Sequence, residues 1–111
     1  MIDLRKLPYG TRVMAETTAF MYEITVIQMG PGNSMEVSVS TGDPDMRKCA
    51  HRCCFNGSIV IDLVKGVSSA EHLCQIVPEG RMHFHDSKRV HQTQPVISAV
   101  VYGKDFEFEV F

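Results

Sequence analysis

Phe20-Met21-Tyr22-Glu23-Ile24-Thr25-Val26-Ile27-Gln28 is followed by Gly30-Pro31-Gly32-Asn33 and then by Met35-Glu36-Val37-Ser38-Val39-Ser40. In the first run Tyr22, Ile24 and Val26 alternate with Met21, Glu23, Thr25 and Ile27, the period of two expected of a strand with one drier face. In the third, Met35, Val37 and Val39 alternate with Glu36, Ser38 and Ser40, which gives a strand with one wet face. The four residues between them are dense turn chemistry, so the whole stretch reads as a meander hairpin.

Upstream, Leu7-Pro8-Tyr9-Gly10 reads as a turn after a polar start, and a first strand is expected over about Thr11 to Thr17. Residues 1–6 are expected to fray. Downstream, Gly42-Asp43-Pro44-Asp45 reads as a loop, and Asn56-Gly57 carries the positive-φ signature of a two-residue hairpin turn. Ser58 to Val64 should then pair back on the segment before it, with Ile59, Ile61 and Leu63 in phase. Ser68 and Glu71 have capping-box spacing, which allows at most a short helix before Pro78. Further strands are expected at Arg81 to His85, Arg89 to Thr93, Val96 to Tyr102 and Phe106 to Phe111, with turns at Asp86-Ser87-Lys88 and Gly103-Lys104-Asp105.

Composition agrees with this pattern. The 111 residues include 13 Val and 7 Ile against 4 Leu and 5 Ala, and branched side chains favour a pleated surface over a helix. The expected fold is all-β: one antiparallel small barrel or sandwich over 1–111, with about seven to nine short strands. Its expected core contains Tyr22, Ile24, Val26, Val37, Val39, Ile59, Ile61, Phe106 and Phe108.

Charge and hydropathy narrow the function classes. A net charge of -2, from 11 basic and 13 acidic residues, argues against a general binder of nucleic acid or of an anionic membrane. No apolar run approaches the roughly 18 residues of a membrane span, and Met1-Ile2-Asp3-Leu4-Arg5-Lys6 lacks the apolar centre of a secretion signal. A soluble, cytoplasmic protein is expected, free to form a homo-oligomer, with no cofactor assigned.

Two clusters merit a chemical reading. Cys49-Ala50-His51-Arg52-Cys53-Cys54 is rich in metal ligands, and His83 and His85, or His72 and Cys74, lie downstream to complete a site. On an extended backbone, however, Cys49, His51 and Cys53 share a face about 6–7 Å apart while Cys54 points the other way. That is too spread for one tetrahedral ion, and no C-x-x-C pair is present, so the cysteines are expected to be reduced and mostly buried. Arg52 and His51 beside Cys53 or Cys54 would favour a thiolate, yet one basic neighbour is common at inert thiols as well.

The second cluster is the basic run Arg81, His83, His85, Lys88, Arg89 and His91, interrupted by Asp86. A barrel that binds single strands combines such charge with aromatic platforms. Phe84, alternating with His83 and His85, is expected to face the core instead. Neither a serine nucleophile elbow nor a glycine-rich phosphate loop occurs. Pro78-Glu79-Gly80-Arg81-Met82-His83 matches only half of a cupin-type ligand set, because no upstream pair of histidines accompanies it.

Finally, Leu7-Pro8-Tyr9-Gly10-Thr11-Arg12-Val13, Thr17 with Tyr22-Glu23-Ile24, Gly57-Ser58, Ile76 with Gly80, Met82 and Phe84, and Thr93-Gln94-Pro95-Val96 together resemble a family of small uncharacterised bacterial all-β proteins. The resemblance rests on turn and strand residues. It implies a β fold and supplies no activity. The reading from sequence is therefore a non-catalytic binding or interaction module, with a Cys/His metal protein and a nucleic-acid-binding barrel as the alternatives.

Overall fold

Alternating side chains and glycine-bearing turns produce ten strands among the residues that the structure, a computed structural model, describes: 1–46, 52–62, 67–103 and 106–111. They are β1 (Ile2–Asp3), β2 (Arg12–Thr17), β3 (Met21–Met29), β4 (Met35–Thr41), β5 (Arg52–Asp62), β6 (Val67–Leu73), β7 (Gln75–Ile76), β8 (Arg81–His85), β9 (Val90–Tyr102) and β10 (Glu107–Glu109). One 3₁₀ turn, Leu4–Lys6, is the sole helical element among the described residues. Ser68 to Glu71 belongs to β6, so the short helix allowed by its capping-box spacing does not form there.

Six strands close on themselves. β9 pairs with β2, β2 with β3, β3 with β4, β4 with β5, β5 with β8 and β8 again with β9, every pair antiparallel. A closed ring of pairs is a barrel, which decides between the two architectures left open by the sequence pattern. Closure depends on the length of β9. Its first half, up to Pro95, pairs with β8, and its second half, from Val96, pairs with β2. At the join Val96 N donates to Gly80 O and Glu79 N donates to Val96 O, each at 2.9 Å. β6 extends from β5, β10 from β9, and β1 pairs with β7 as a separate ribbon.

The barrel interior takes alternate side chains from every wall. Val13 and Ala15, Tyr22, Ile24 and Val26, Met35, Val37 and Val39, Met82 and Phe84, and Ala99 and Val101 are all buried. Ala15 lies opposite Tyr22 on one side and Ala99 on the other, so two small residues leave room for the large ring. Phe55 and Phe84, register partners on β5 and β8, pack with ring centroids 5.3 Å apart and tilted by 48°.

Several sequence expectations need correction. Asn56-Gly57 does not turn the chain. It sits inside β5, where the register shifts between Phe55 and Gly57, and Gly57 takes φ +139°. An extra residue in a strand reverses the faces that follow. Cys53 and Phe55 point inward, Ser58 is buried in turn, and Ile61, expected in the core, is 43% exposed; Ile59 is only half-buried. Phe106, also expected in the core, is 41% exposed, because it precedes β10 and folds its ring over Gly103 instead. The side chain of Phe108 lies outside the described residues.

The expected break between Arg89 to Thr93 and Val96 to Tyr102 is likewise absent. β9 runs through Pro95 with a register shift against β8, and Thr93 fills the gap: its hydroxyl accepts from Met82 N at 3.0 Å and donates to Gln94 O at 2.8 Å. Residues 1–6 are not frayed either. Ile2 and Leu4 are 4% and 0% exposed, and Leu4 N donates to Cys74 O at 2.9 Å, so this segment closes one end of the barrel.

Candidate functional site

The Cys/His cluster of the sequence is dispersed by the strands that carry it. Cys49 and His51 lie outside the described residues. Cys53 and Cys54 are neighbours on β5 and take opposite faces: Cys53 enters the core, while Cys54 is half-buried on the outside. Cys54 is in register with Glu36 on β4 and with His85 on β8, so the three stand in a row across the outer wall. Cys74 is buried beside β5, its N–H donating to Asn56 O at 3.0 Å; its thiol donates to Asn33 O at 3.2 Å, and burial pushes its pKa up. Among the described residues no group of three or more His, Cys, Asp or Glu side chains could hold a metal ion.

The row of Glu36, Cys54 and His85 borders a cleft of about 420 Å³, completed by Pro31, Arg52, Asp86 and Ser87. Its carboxylates already have partners. Glu36 accepts from Gln28 Nε2 and from Arg52 Nε, and these donors hold its carboxyl below the usual range. Asp86 Oδ1 accepts from the backbone of Lys88 and Arg89 at 2.8 Å each, which shapes the turn.

The basic run is dispersed in the same way. Arg81 donates to Thr93 O and Gln94 Oε1. His83 and His85 lie on the outer face with Phe84 buried between them, so no aromatic platform accompanies the charge. Burial pushes the His83 imidazole down, Glu71 opposing, and its Nε2 has no hydrogen-bond partner among the described residues.

His91 turns inward to a site that the sequence did not announce. Tyr22 Oη donates to Asp43 Oδ2 at 2.5 Å, and His91 Nε2 lies 3.0 Å from the same oxygen. An ionised carboxylate only accepts, so the imidazole carries a proton on Nε2. Asp43 Oδ1 accepts from Asp45 N at 2.9 Å, and Met46 is buried beside this loop, which folds over the second end of the barrel. Burial alone would raise the Asp43 carboxyl; the Tyr22 hydroxyl, the backbone of Asp45 and Met46, and His91 outweigh it and hold the carboxyl below its ordinary value. Burial first, and Asp43 second, raise the Tyr22 phenol. A signal existed in retrospect: a tyrosine in phase with core residues needs a partner for its hydroxyl, and a loop carrying two Asp follows it on the next hairpin.

The other end of the barrel bears a cleft of about 300 Å³, lined by Met1, Ile2, Asp3, Lys6, Leu7, Gln75, Val101 and Val110. Its surface is mostly apolar. Ile2 and Val101 form a buried floor, and Leu7 and Val110 pack against the core. Polar groups stand at the edge. Asp3 is spoken for, since Arg5 Nε and Nη2 both reach its carboxylate at 3.0 and 2.9 Å and hold its carboxyl below the usual value. Gln75 Oε1 is shut from solvent with no donor among the described residues. Sequence reading missed this site because it took residues 1–6 as frayed; the alternation of Ile2 and Leu4 with Asp3 and Arg5 was the available signal.

Comparison of the chain with protein-family models, with curated proteins and with solved structures gives no match.

Proposed function

We propose that this protein is a non-catalytic binding module whose ligand site is the cleft between the N-terminal segment and the β9–β10 end of the barrel. The observation that carries the reading is the chemistry of that cleft. Small-molecule sites are concave and largely apolar, with a few polar groups at fixed points, and here Ile2, Leu7, Val101 and Val110 provide the apolar surface while Lys6 and Gln75 provide the polar points. The outer cleft at Cys54 and His85 is the weaker candidate, since its carboxylates and Arg52 are already engaged. At the packing density of protein interiors, about 300 Å³ accommodates on the order of ten non-hydrogen atoms.

Two further features accompany this reading. Cys54 and Cys74 are free thiols, which suits a reducing, cytoplasmic setting, and no described helix is long and apolar enough to cross a membrane. The resemblance to small bacterial β proteins likewise implies a fold without chemistry. The test is a titration of isotope-labelled protein with 1-octanol, followed by amide chemical shifts. Saturable shifts grouped at Ile2, Leu7, Val101 and Val110, and lost in Leu7→Trp, are expected. Shifts scattered over the barrel, or none that saturate, would overturn the assignment.

A further inference from the structure

Resting on the cleft reading above, we infer that the ligand is an amphipathic carboxylate, its apolar chain lying on Ile2, Leu7, Val101 and Val110 and its carboxylate meeting Lys6 at the mouth. Charge complementarity selects the carboxylate. Two charged side chains, Asp3 and Lys6, line the cleft. Arg5 grips Asp3 in a two-pronged ion pair and also donates its backbone N–H to Asp3 Oδ1 at 3.0 Å, so the negative charge is compensated by a residue outside the cleft lining. Lys6 has no ion-pair partner among the described residues, and only a weak through-space attraction to Asp3. The side chains of the cleft edge therefore leave one net positive charge next to an apolar floor.

A long-chain cation would place a second ammonium beside Lys6. An uncharged amphiphile would leave Lys6 unpaired. A carboxylate satisfies the ammonium while its alkyl part covers the apolar surface, and a chain of about eight carbons fits the volume at interior packing density. The 3₁₀ turn gives Lys6 its position: Asp3 caps the turn through Arg5 N, and Leu4, fully buried, fixes the backbone two residues before Lys6.

The experiment compares octanoate, 1-octanol and octylamine, which share a tail and differ in head group, on the full chain and on Lys6→Gln, with affinity read from amide shifts. Lys6 is at the surface, so the variant retains the fold, and unchanged shifts elsewhere in the spectrum will verify that. Octanoate is expected to bind the unaltered protein most tightly and octylamine least. In Lys6→Gln the octanoate-to-octanol affinity ratio should fall about fivefold, the upper end for a solvent-screened ion pair. Octanoate and octanol binding in the cleft with a ratio that Lys6→Gln does not move would overturn the carboxylate assignment and leave the cleft reading standing. Failure of all three to bind there would overturn the cleft reading, and the inference with it.

Discussion

Asp43 places one carboxylate against a phenol, an imidazole and backbone N–H groups in the buried end of a barrel, with side-chain exposure of 7% for Asp43 and 13% for His91. A buried acceptor deprived of one donor bears its desolvation cost uncompensated, so Tyr22→Phe should destabilise the protein by about 1–3 kcal/mol in urea unfolding at neutral pH. The depressed Asp43 value also sets a pH dependence. A carboxyl held below its ordinary 3.8 in the folded state contributes stability that is complete above that value and disappears as pH falls through the folded-state value. Urea midpoints measured from pH 7 down to pH 2 should therefore drop for the unaltered protein at the acid end. In Asp43→Asn the part of that drop due to Asp43 should vanish, so the two curves converge in acid. Curves that stay parallel would mean that the carboxylate is no better stabilised folded than unfolded.

At the scale of elements, β5 shows how a correct residue-level signal yields a wrong strand. Asn56-Gly57 does demand a positive φ, as its sequence announces, but the same demand is met by a bulge in a continuous strand. Local chemistry specifies the dihedral angle. Whether the chain then turns or runs on depends on β8 and β6, which flank Gly57 at its register positions, and that is a long-range fact. A Cβ on Gly57 would lie 2.2 Å from His72 O and 2.9 Å from Cys74 N, both backbone atoms that cannot move independently of β6. Gly57→Ala should cost on the order of 3 kcal/mol or more, combining the strained φ with that clash. The reversed faces beyond the bulge supply a companion measurement. Ile61→Ala should cost less than about 1 kcal/mol, whereas Phe84→Ala, which removes a fully buried ring, should cost about 3–5 kcal/mol. A large loss at Ile61 would restore the phase read from sequence. By contrast β2, β3 and β4 were legible nearly residue by residue, since each is joined to the next by a short turn and alternates over most of its length, the register shift between Val26 and Gln28 coming only near the end of β3. Thr17 makes one of those turns, its hydroxyl accepting from Ala19 N and Phe20 N and donating to Phe20 O.

For the whole molecule, the decisive property is closure. The candidate cleft was illegible for the same reason that closure was: both depend on segments distant in sequence. Val101 and Val110 meet Ile2 and Leu7 only because β9 returns to β2, so period-two patterns that identify each strand say nothing about that meeting. Closure leads to a prediction about hydrogen exchange. In an open sheet the β8–β9 hairpin would hang on one neighbour, and its amides would be released by local opening at less than the global unfolding energy. In the closed ring the Val96 amide, bonded to Gly80 O, lies on a seam that cannot part without opening the barrel, and Val96 itself is fully buried. Its exchange should therefore be as slow as that of Ile24 in β3, with both following the global unfolding energy as urea is added. Amides of β10, which pairs through three register positions with β9 alone, should exchange well ahead of them. Val96 exchanging as fast as β10 would show that the β8–β9 seam opens independently, and with it the wall on which the barrel assignment rests.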